Sequence, residues 1–482
     1  MITKKPNVDA PARAQRGGLL SRSRLTTALA AGKLAGNMGR FLRLGGGTNL
    51  PGEVARKIDP HVLRKVIGAS VAHKIVVCGS NGKTTTCRML AALTQTAGQR
   101  IAQNRTGSNL LGGVVAVAVN GASVFGNIDA ETIIFEIDEA TTRLTVPDIG
   151  PDVVIINNLF RDQLDRYGEI YAVASVLETM IRALPAQATV ILNADDPMVA
   201  SFAPDARAKR LYFGLNTEDV GTPTPEHASD SIRCPRCRHD LIYDRAYISH
   251  MGNYHCPECS FARPPLDIAV THVTMQAMSE TDVQMQTPSG PLEFRLSLPG
   301  LHNVYNAAGT IAGAISIGLD LTAAQTAFSQ LTPVFGRLEE IRAGDKRIVL
   351  SFVKNPTSYN TTLRTLLQEP GKRHILSAHS NTPVDGEDFS WFWDIDLDEI
   401  APQIVSLVTS GTKAEDLAVR FKYAGVAESV MQTIPDFSAA LDAALGQVEP
   451  GGTLYVLSGY APTMALRKIM QQRGWVLPFW KE

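Results

Sequence analysis

The sequence predicts an α/β protein whose first large domain is built on a parallel sheet, with a cysteine-rich insertion and a second αβ domain behind it. Three observations carry this. A glycine-rich turn, Gly79-Ser80-Asn81-Gly82-Lys83-Thr84-Thr85, joins the β-branched run 74–78 to the helical pattern 87–93. Continuous apolar strands then alternate with helical segments, as in a sheet covered on both faces. Two Cys-x-x-Cys pairs, Cys234/Cys237 and Cys256/Cys259, interrupt that alternation.

At 482 residues the chain has room for about two to four domains with substantial cores. A net charge of −1 gives no overall sign of nucleic-acid binding. The charge is uneven, with nine Lys or Arg and one acid, Asp9, up to Arg43. Residues 1–44 therefore read as a basic arm, either lying on an anionic surface or solvated. No apolar run reaches transmembrane length and no compact signal-peptide core opens the chain, so a cytoplasmic protein is expected. In a reducing compartment the paired cysteines mean metal before disulfide. Cys78 and Cys87, which flank the turn, read as small core residues.

In chain order, Leu44–Gly52 is a loop-forming cluster ahead of the first domain, taken as 45–333. After the turn and its helix come the polar stretch Asn104–Asn109 and a small-residue run through Gly112 and Gly113. Buried strands follow at 132–139, 152–158 and 189–196. Each ends in polar residues, and ligands of parallel sheets gather beyond such carboxyl ends. Residues 223–265 hold the cysteine insertion. Antiparallel strands are expected at 268–275, 282–286 and 292–298, then helices at 303–317 and 323–331. The last domain, 334–482, should contain strands at 348–353, 374–377, 404–407 and 453–457.

The turn is a phosphate-binding motif in its shorter form, Gly-x-x-Gly-Lys-Thr, with Val77 where the longer pattern has glycine. Loop N–H groups and the helix dipole favour phosphate, Lys83 supplies a point charge, and the Thr84 hydroxyl is a magnesium ligand. The plainer alternative is a glycine turn capping a core helix. Glu136, ending a buried strand, is the second magnesium ligand expected, since an isolated buried carboxylate is costly. The alternative there is that Glu136 or Asp138 caps the next element. The cysteine pairs, eighteen residues apart, can close a tetrahedral thiolate cage around a structural zinc. His250 and His255 are competing ligands, though four cysteines already fill the shell.

These residues add up to a family. Gly79-Ser-Asn-Gly-Lys-Thr-Thr85, Glu136, Asn158-Leu-Phe-Arg-Asp-Gln-Leu-Asp165, Asn193-Ala-Asp-Asp196, His302-Asn303-Val-Tyr-Asn306 and Phe335-Gly-Arg-Leu-Glu339 occur in the order of the Mur ligase superfamily, which the chain resembles. The inserted cysteine knuckles, Gly45-Gly-Gly-Thr-Asn-Leu-Pro51, Val353-Lys-Asn-Pro356 and Asp385-Gly-Glu-Asp-Phe-Ser-Trp-Phe-Trp-Asp394 narrow the resemblance to the MurT type. It implies a Mur-ligase-like central P-loop domain, an inserted four-cysteine zinc ribbon and a C-terminal Rossmann-like αβ domain. It also implies ATP-dependent amidation of the D-glutamate α-carboxyl of lipid II through an acyl phosphate, with ammonia from a GatD-type glutaminase partner. Gly79, Asn81, Gly82, Lys83, Thr84 and Thr85 would then hold the phosphates, Asn303 and Asn306 would lie near the adenine, and Arg337 near the phosphates. The C-terminal domain would close over the nucleotide.

The chain departs from its relatives in two places. Amino-acid-adding ligases commonly carry a carbamylated lysine after the Asp162–Asp165 stretch, whereas 169–180 contains no lysine here. Ser351 stands where relatives place an aspartate near the ribose. By the same resemblance, the 385–394 motif lends the partner's cysteine–histidine pair its acid, Asp388 being preferred over Asp385 and Asp394. Trp391 and Trp393 would anchor the interface. No cysteine of this chain suits glutamine hydrolysis, which supports a separate partner. Competing functions are an amino-acid-adding Mur or folylpolyglutamate-type ligase and a non-catalytic nucleotide- and zinc-binding scaffold.

Overall fold

Alternation within the apolar strands decides the architecture. In the computed structural model, which describes residues 19–41, 49–104, 108–161, 170–226, 229–276, 279–332, 336–368 and 371–477, strands β1 (His73–Cys78), β2 (Ile101–Gln103), β3 (Thr132–Glu136), β4 (Val153–Ile156), β5 (Thr189–Asn193) and β6 (Lys209–Leu215) pair in parallel in the order 2-3-1-4-5-6. Val76, Phe135, Val154 and Val190 point into one core, while Val77, Ile134, Ile155 and Ile191 point into the other. Both faces are thus dry at β3, β4 and β5, and nearly every residue of those strands must be apolar.

The chain leaves this sheet after β6 and returns as β9 (Ile268–Gln276), with the hairpin β7 (Ile242–Ile248) and β8 (Met251–His255) between. β9 pairs in parallel with β6, and β10 (Glu280–Thr287) and β11 (Gly290–Leu296) extend the sheet antiparallel to nine strands. Their burial alternates, for example in β10, as expected for a sheet with one solvated face. Helix Leu301–Ser316 then packs across β4, β5 and β6 and against helix Lys83–Thr96.

The second sheet runs β12-β13-β17-β14-β15-β16, built from β12 (Glu339–Ala343), β13 (Lys346–Phe352), β14 (Arg373–Ala378), β15 (Ile404–Ser410), β16 (Met431–Thr433) and β17 (Thr453–Ser458). It is parallel apart from the β12–β13 hairpin. Val349, Ile375 and Tyr455 face one core and Ile348, Leu376 and Val456 the other.

The basic-arm reading needs correction. Residues 19–41 form a helix with Ala28 and Leu29 fully buried, packed on helix Leu50–Ile58, which in turn packs on helix Leu111–Gly121. The small-residue run explains why the helices come so close. A Cβ added at Gly52 would stand 1.9 Å from the Gly112 carbonyl oxygen, so this crossing admits only glycine. Charge counting missed the helix because its apolar face is made of Ala, Gly and Leu, set among basic residues. Residues 1–18 and 42–48, with most of the expected loop cluster, lie outside the described residues, as do 162–165 of the Asp-rich motif and Phe335.

Candidate functional site

The site grows from the end of β1. Gly79 and Gly82 take φ of +121° and +84°, which lets the chain turn back under its own carbonyls before helix Lys83–Thr96 begins. At Gly82 the constraint is also one of space, since a Cβ there would lie 2.1 Å from Asn306 Oδ1. The loop is pinned from β4: Asn158 Oδ1 accepts the Asn81 N–H at 2.8 Å, and Ser80 and Phe160 exchange hydrogen bonds at 2.9 and 3.0 Å. This is more than a turn capping a core helix.

Lys83 is buried, and its ammonium donates to the Gly79 carbonyl (2.6 Å) and to Glu139 Oε1 (2.9 Å). The Gly79 N–H donates to the same Glu139 oxygen at 2.9 Å. Two groups expected to meet phosphate therefore converge on one carboxylate. Burial disfavours both charges, but their pairing wins, leaving Lys83 raised and Glu139 lowered from their ordinary pKa values. Glu139 was missed in the sequence because it lies beyond the end of β3, in a short 3-10 turn capped by Asp138 through the Ala140 N–H. Only the fold brings that turn beneath the loop.

Glu136 takes the Thr84 hydroxyl on Oε1 at 3.0 Å, while its Oε2 is buried without a hydrogen-bond partner. Burial raises its pKa, against the opposing effects of Lys83 and Thr84. An anionic oxygen beside a P-loop hydroxyl is the donor set a hard cation with phosphate ligands requires. Asn104 holds this strand end at both backbone groups, 2.9 Å from each.

Above the loop lies a cleft of about 910 Å³ of open space, bounded by Asn81, Gly82, Thr85, Asn303, Asn306 and Arg337 among others. Asn303 and Asn306 are hydrogen-bonded to each other (3.1 Å), and Asn306 also accepts from Thr86 (3.3 Å), so both are fixed rather than mobile contacts. Arg337, half-buried on the opposite wall, makes no hydrogen bond or ion pair among the described residues. Buried polar atoms without partners line the same cleft: Asn81 Nδ2, His302 Nδ1 and Ser351 Oγ. Burial, helped by Arg337, pushes His302 down to about 4, so the ring is neutral at physiological pH.

The second domain roofs this cleft. Lys354 Nζ reaches the Ser80 carbonyl at 3.2 Å, and Asn355 reaches Asn81 Oδ1 at 3.4 Å. Asn355 also caps helix Pro356–Leu367, whose Thr357, Ser358, Thr361 and Thr362 face the cleft. Sequence reading treated Val353–Pro356 as a family marker only. The signal for more was the Asn-Pro-x-Ser capping pattern, which fixes where the helix starts.

The three candidate acids of 385–394 separate completely. Asp385 accepts from the Thr382 hydroxyl (2.8 Å) and from the Tyr460 and Ala461 N–H groups (2.5 and 3.0 Å), capping the last helix, Tyr460–Gln472. Asp394 faces Arg161 of the central domain at 3.4 Å. Asp388 is exposed and accepts the Ser390 N–H at 2.8 Å, which lowers its pKa. Trp391 packs into the domain core, whereas Trp393 is 55% exposed and meets Tyr423, 73% exposed, edge to face.

In the insertion the four cysteine sulfurs lie within 4.8 Å of one another, a donor set and spacing that fit one thiophilic ion. His250 is not among them. It is fully buried against Asp196 (3.5 Å) and Phe160, on the side facing the cleft, while His255 lies 4.0 Å from Asp244. The insertion is tied to the central domain by Asp195, which receives Arg263 (3.0 Å) and the Tyr305 hydroxyl (2.7 Å). Burial nevertheless raises Asp195 to about 6.

The Mur ligase middle-domain family matches residues 77–235, and the MurT ligase C-terminal family matches residues 352–463. The chain is 29% identical over 448 residues to the MurT subunit of the glutamine-hydrolysing lipid II isoglutaminyl synthase of Streptococcus pneumoniae, covering 92% of this chain and 97% of that one. It is 28% identical to the corresponding Staphylococcus aureus subunit, covering 79% and 84%. Among solved structures, a pseudomurein peptide ligase from Methanothermus fervidus superimposes with a TM-score of 0.64 at 19% identity, covering 84% of this chain and 79% of that one. Folylpolyglutamate synthase from Mycobacterium tuberculosis gives 0.57 at 16%, covering 92% and 95%. The two family matches and the curated relatives, on the shared fold, mark the class as the Mur ligase superfamily. Within it the chain is MurT-like, by its C-terminal family match and these relatives.

Proposed function

We propose that this chain is the ATP-dependent ligase subunit of a lipid II isoglutaminyl synthase, amidating the α-carboxyl of D-glutamate with ammonia from a GatD-like glutaminase. One observation carries the ligase half. Lys83, Thr84, Glu136 and Glu139 converge at one strand edge, under a cleft walled by Asn303, Asn306 and Arg337 and roofed by the second domain. ATP with magnesium would supply the phosphoryl group that turns the unreactive carboxylate into an acyl phosphate. Lys83, released from Glu139, would move its charge to the transferring phosphoryl group, and Gly79, Asn81, Gly82 and Thr85 would fix the phosphates from the loop. Thr84 and Glu136 would hold the magnesium. Arg337 would balance charge from across the cleft. The roof would exclude water, which otherwise competes with ammonia for the activated carbonyl.

The amidation half is supported by what the cysteines do. Cys78 and Cys87 are buried with raised pKa values, and the other four cluster together. The first two are closed off by burial and the other four are drawn into one cluster, so glutamine would be hydrolysed on the partner, with exposed Asp388 orienting its histidine and Trp393 in the interface. The four cysteines would bind zinc as a structural ion. No helix among the described residues is long and apolar enough to cross a membrane. Lipid II would be met by a cytoplasmic protein at the inner membrane face. The test supplies ATP, lipid II and either ammonium or amino acids, and follows products by mass spectrometry. Exchange of hydroxyl for amine is expected, and peptide extension would refute it.

A further inference from the structure

Beyond its cysteines the insertion holds two buried carboxylates, Glu226 and Asp230, with 8% and 6% of their side chains exposed. Each pairs with an arginine outside the insertion. Glu226 accepts the Ser249 N–H at the turn of the β7–β8 hairpin and pairs with Arg364 of the roof helix Pro356–Leu367. That turn is part of the cleft wall, through Ile248 and Met251. Asp230 takes the backbone N–H of Arg161 at 2.9 Å and its guanidinium, and Arg161 extends to Asp394 of the second domain. Arg364 also faces Asp396 (3.6 Å), which is hydrogen-bonded to Asn360 on the roof helix (3.0 Å). The roof also meets the loop directly, through Lys354 to Ser80 and Asn355 to Asn81.

Two buried carboxylates in an inserted segment are costly unless paired, and a pair broken on one side leaves an uncompensated charge. Arg364 belongs to the second domain itself, and Arg161 of the central domain meets that domain through Asp394. We propose that Glu226 and Asp230 form a latch that holds the C-terminal domain closed over the nucleotide cleft, so the insertion governs closure as well as binding metal. They are positioning residues. When the domain swings away, Arg364 leaves Glu226, and water must resolvate both.

The latch concerns closure and nucleotide retention, and holds whichever amine the enzyme uses. Its test therefore avoids the amidation assay. Binding of a non-hydrolysable ATP analogue with magnesium is measured by calorimetry, and the radius of gyration of the bound full-length chain by small-angle scattering. Arg364→Gln is expected to weaken binding about tenfold and to expand the nucleotide-bound form. Adding Glu226→Gln to Arg364→Gln should cost nothing further, since the two act through one contact. Arg161→Gln should act in the same direction. Arg161 and Arg364 are each 40% exposed, and the melting temperature of each variant separates a loss of closure from an unfolding caused by the stranded carboxylate. Unchanged affinity and dimensions in both arginine variants, or fully additive effects in the Glu226–Arg364 pair, would overturn the latch.

Discussion

The molecule contains two parallel sheets with the same layered construction, yet their carboxyl edges differ in charge. At the edge of the first lie Lys83, Glu136 and Glu139, all buried and arranged around a glycine loop. At the edge of the second lie Ser351, Ser377, His379, Ser410 and Ser458, all buried and uncharged. His379 is the extreme case, ringed by Tyr359, Trp391 and Phe392, and burial, opposed by the Val353 backbone, holds it neutral down to about 3. Architecture alone therefore does not make a reaction centre. The candidate site lies where charge is held at the strand ends, and the second sheet contributes a roof and surface groups instead.

The largest expected effect tests that surface contribution. In the complex with its glutaminase, Asp388→Asn should cut glutamine-dependent amidation by about 10⁴-fold while sparing ammonium-dependent amidation, read by paired product assays. Asp385→Asn should instead lower the melting temperature through loss of a helix cap, at about 1 kcal/mol. If the two variants exchanged phenotypes, the division between exposed and capping acids would fail.

At the charged edge, Lys83→Met should reduce phosphate release by about 10²–10³-fold. It should also strand Glu139, costing about 3–5 kcal/mol in denaturant unfolding. Adding Glu139→Gln should restore stability without restoring phosphate release. At the neutral edge, Ser351→Ala should change nucleotide affinity by less than about tenfold by calorimetry. A loss as large as that of Lys83→Met would remove the contrast between the edges.

A chelator should destabilise residues 234–261 by exposing their amides to hydrogen exchange, leaving β1–β5 protected. The smallest effect is pH-dependent. His302 and His379 ordinarily protonate near 6.5 but are held at about 4 and about 3 in the fold. The unfolded chain therefore takes up protons first as pH falls below 6.5. Their contribution to stability is complete above that value and is lost as pH falls through the window to about 3. His379→Leu should flatten this decline, measured as denaturation midpoint against pH. An unchanged slope would mean the ring is not held neutral.

Much of this was legible in the residues because its causes are local. Both strand sets announce themselves by continuous apolar runs, and the loop by glycines that must take positive φ. The cysteine cage follows from spacing. β2, β6, β12, β16 and the hairpin β7–β8 were not anticipated: β2, β12 and β16 are sheet edges, β7–β8 lies in the insertion, and β6 is a central strand that opens on Lys209 and Arg210 rather than on an apolar run. Asp388 was preferred to Asp385 and Asp394 only by resemblance, since positions along an irregular segment fix no side-chain environment.

By itself, then, the sequence determined two sheets, a phosphate loop with Lys83 and Thr84, a strand-end Glu136 and a four-cysteine cluster. Periodicity, backbone permissiveness and ligand spacing are properties of neighbours in the chain. Only the tertiary structure decided that Glu139 holds Lys83, that Lys354 and Asn355 meet the loop, and that Glu226 and Asp230 meet arginines elsewhere in the chain. Except for Lys83 and Glu139, 56 residues apart, these pairings span between 69 and 274 residues. They exist because burial made each charge seek whatever partner the packing brought near.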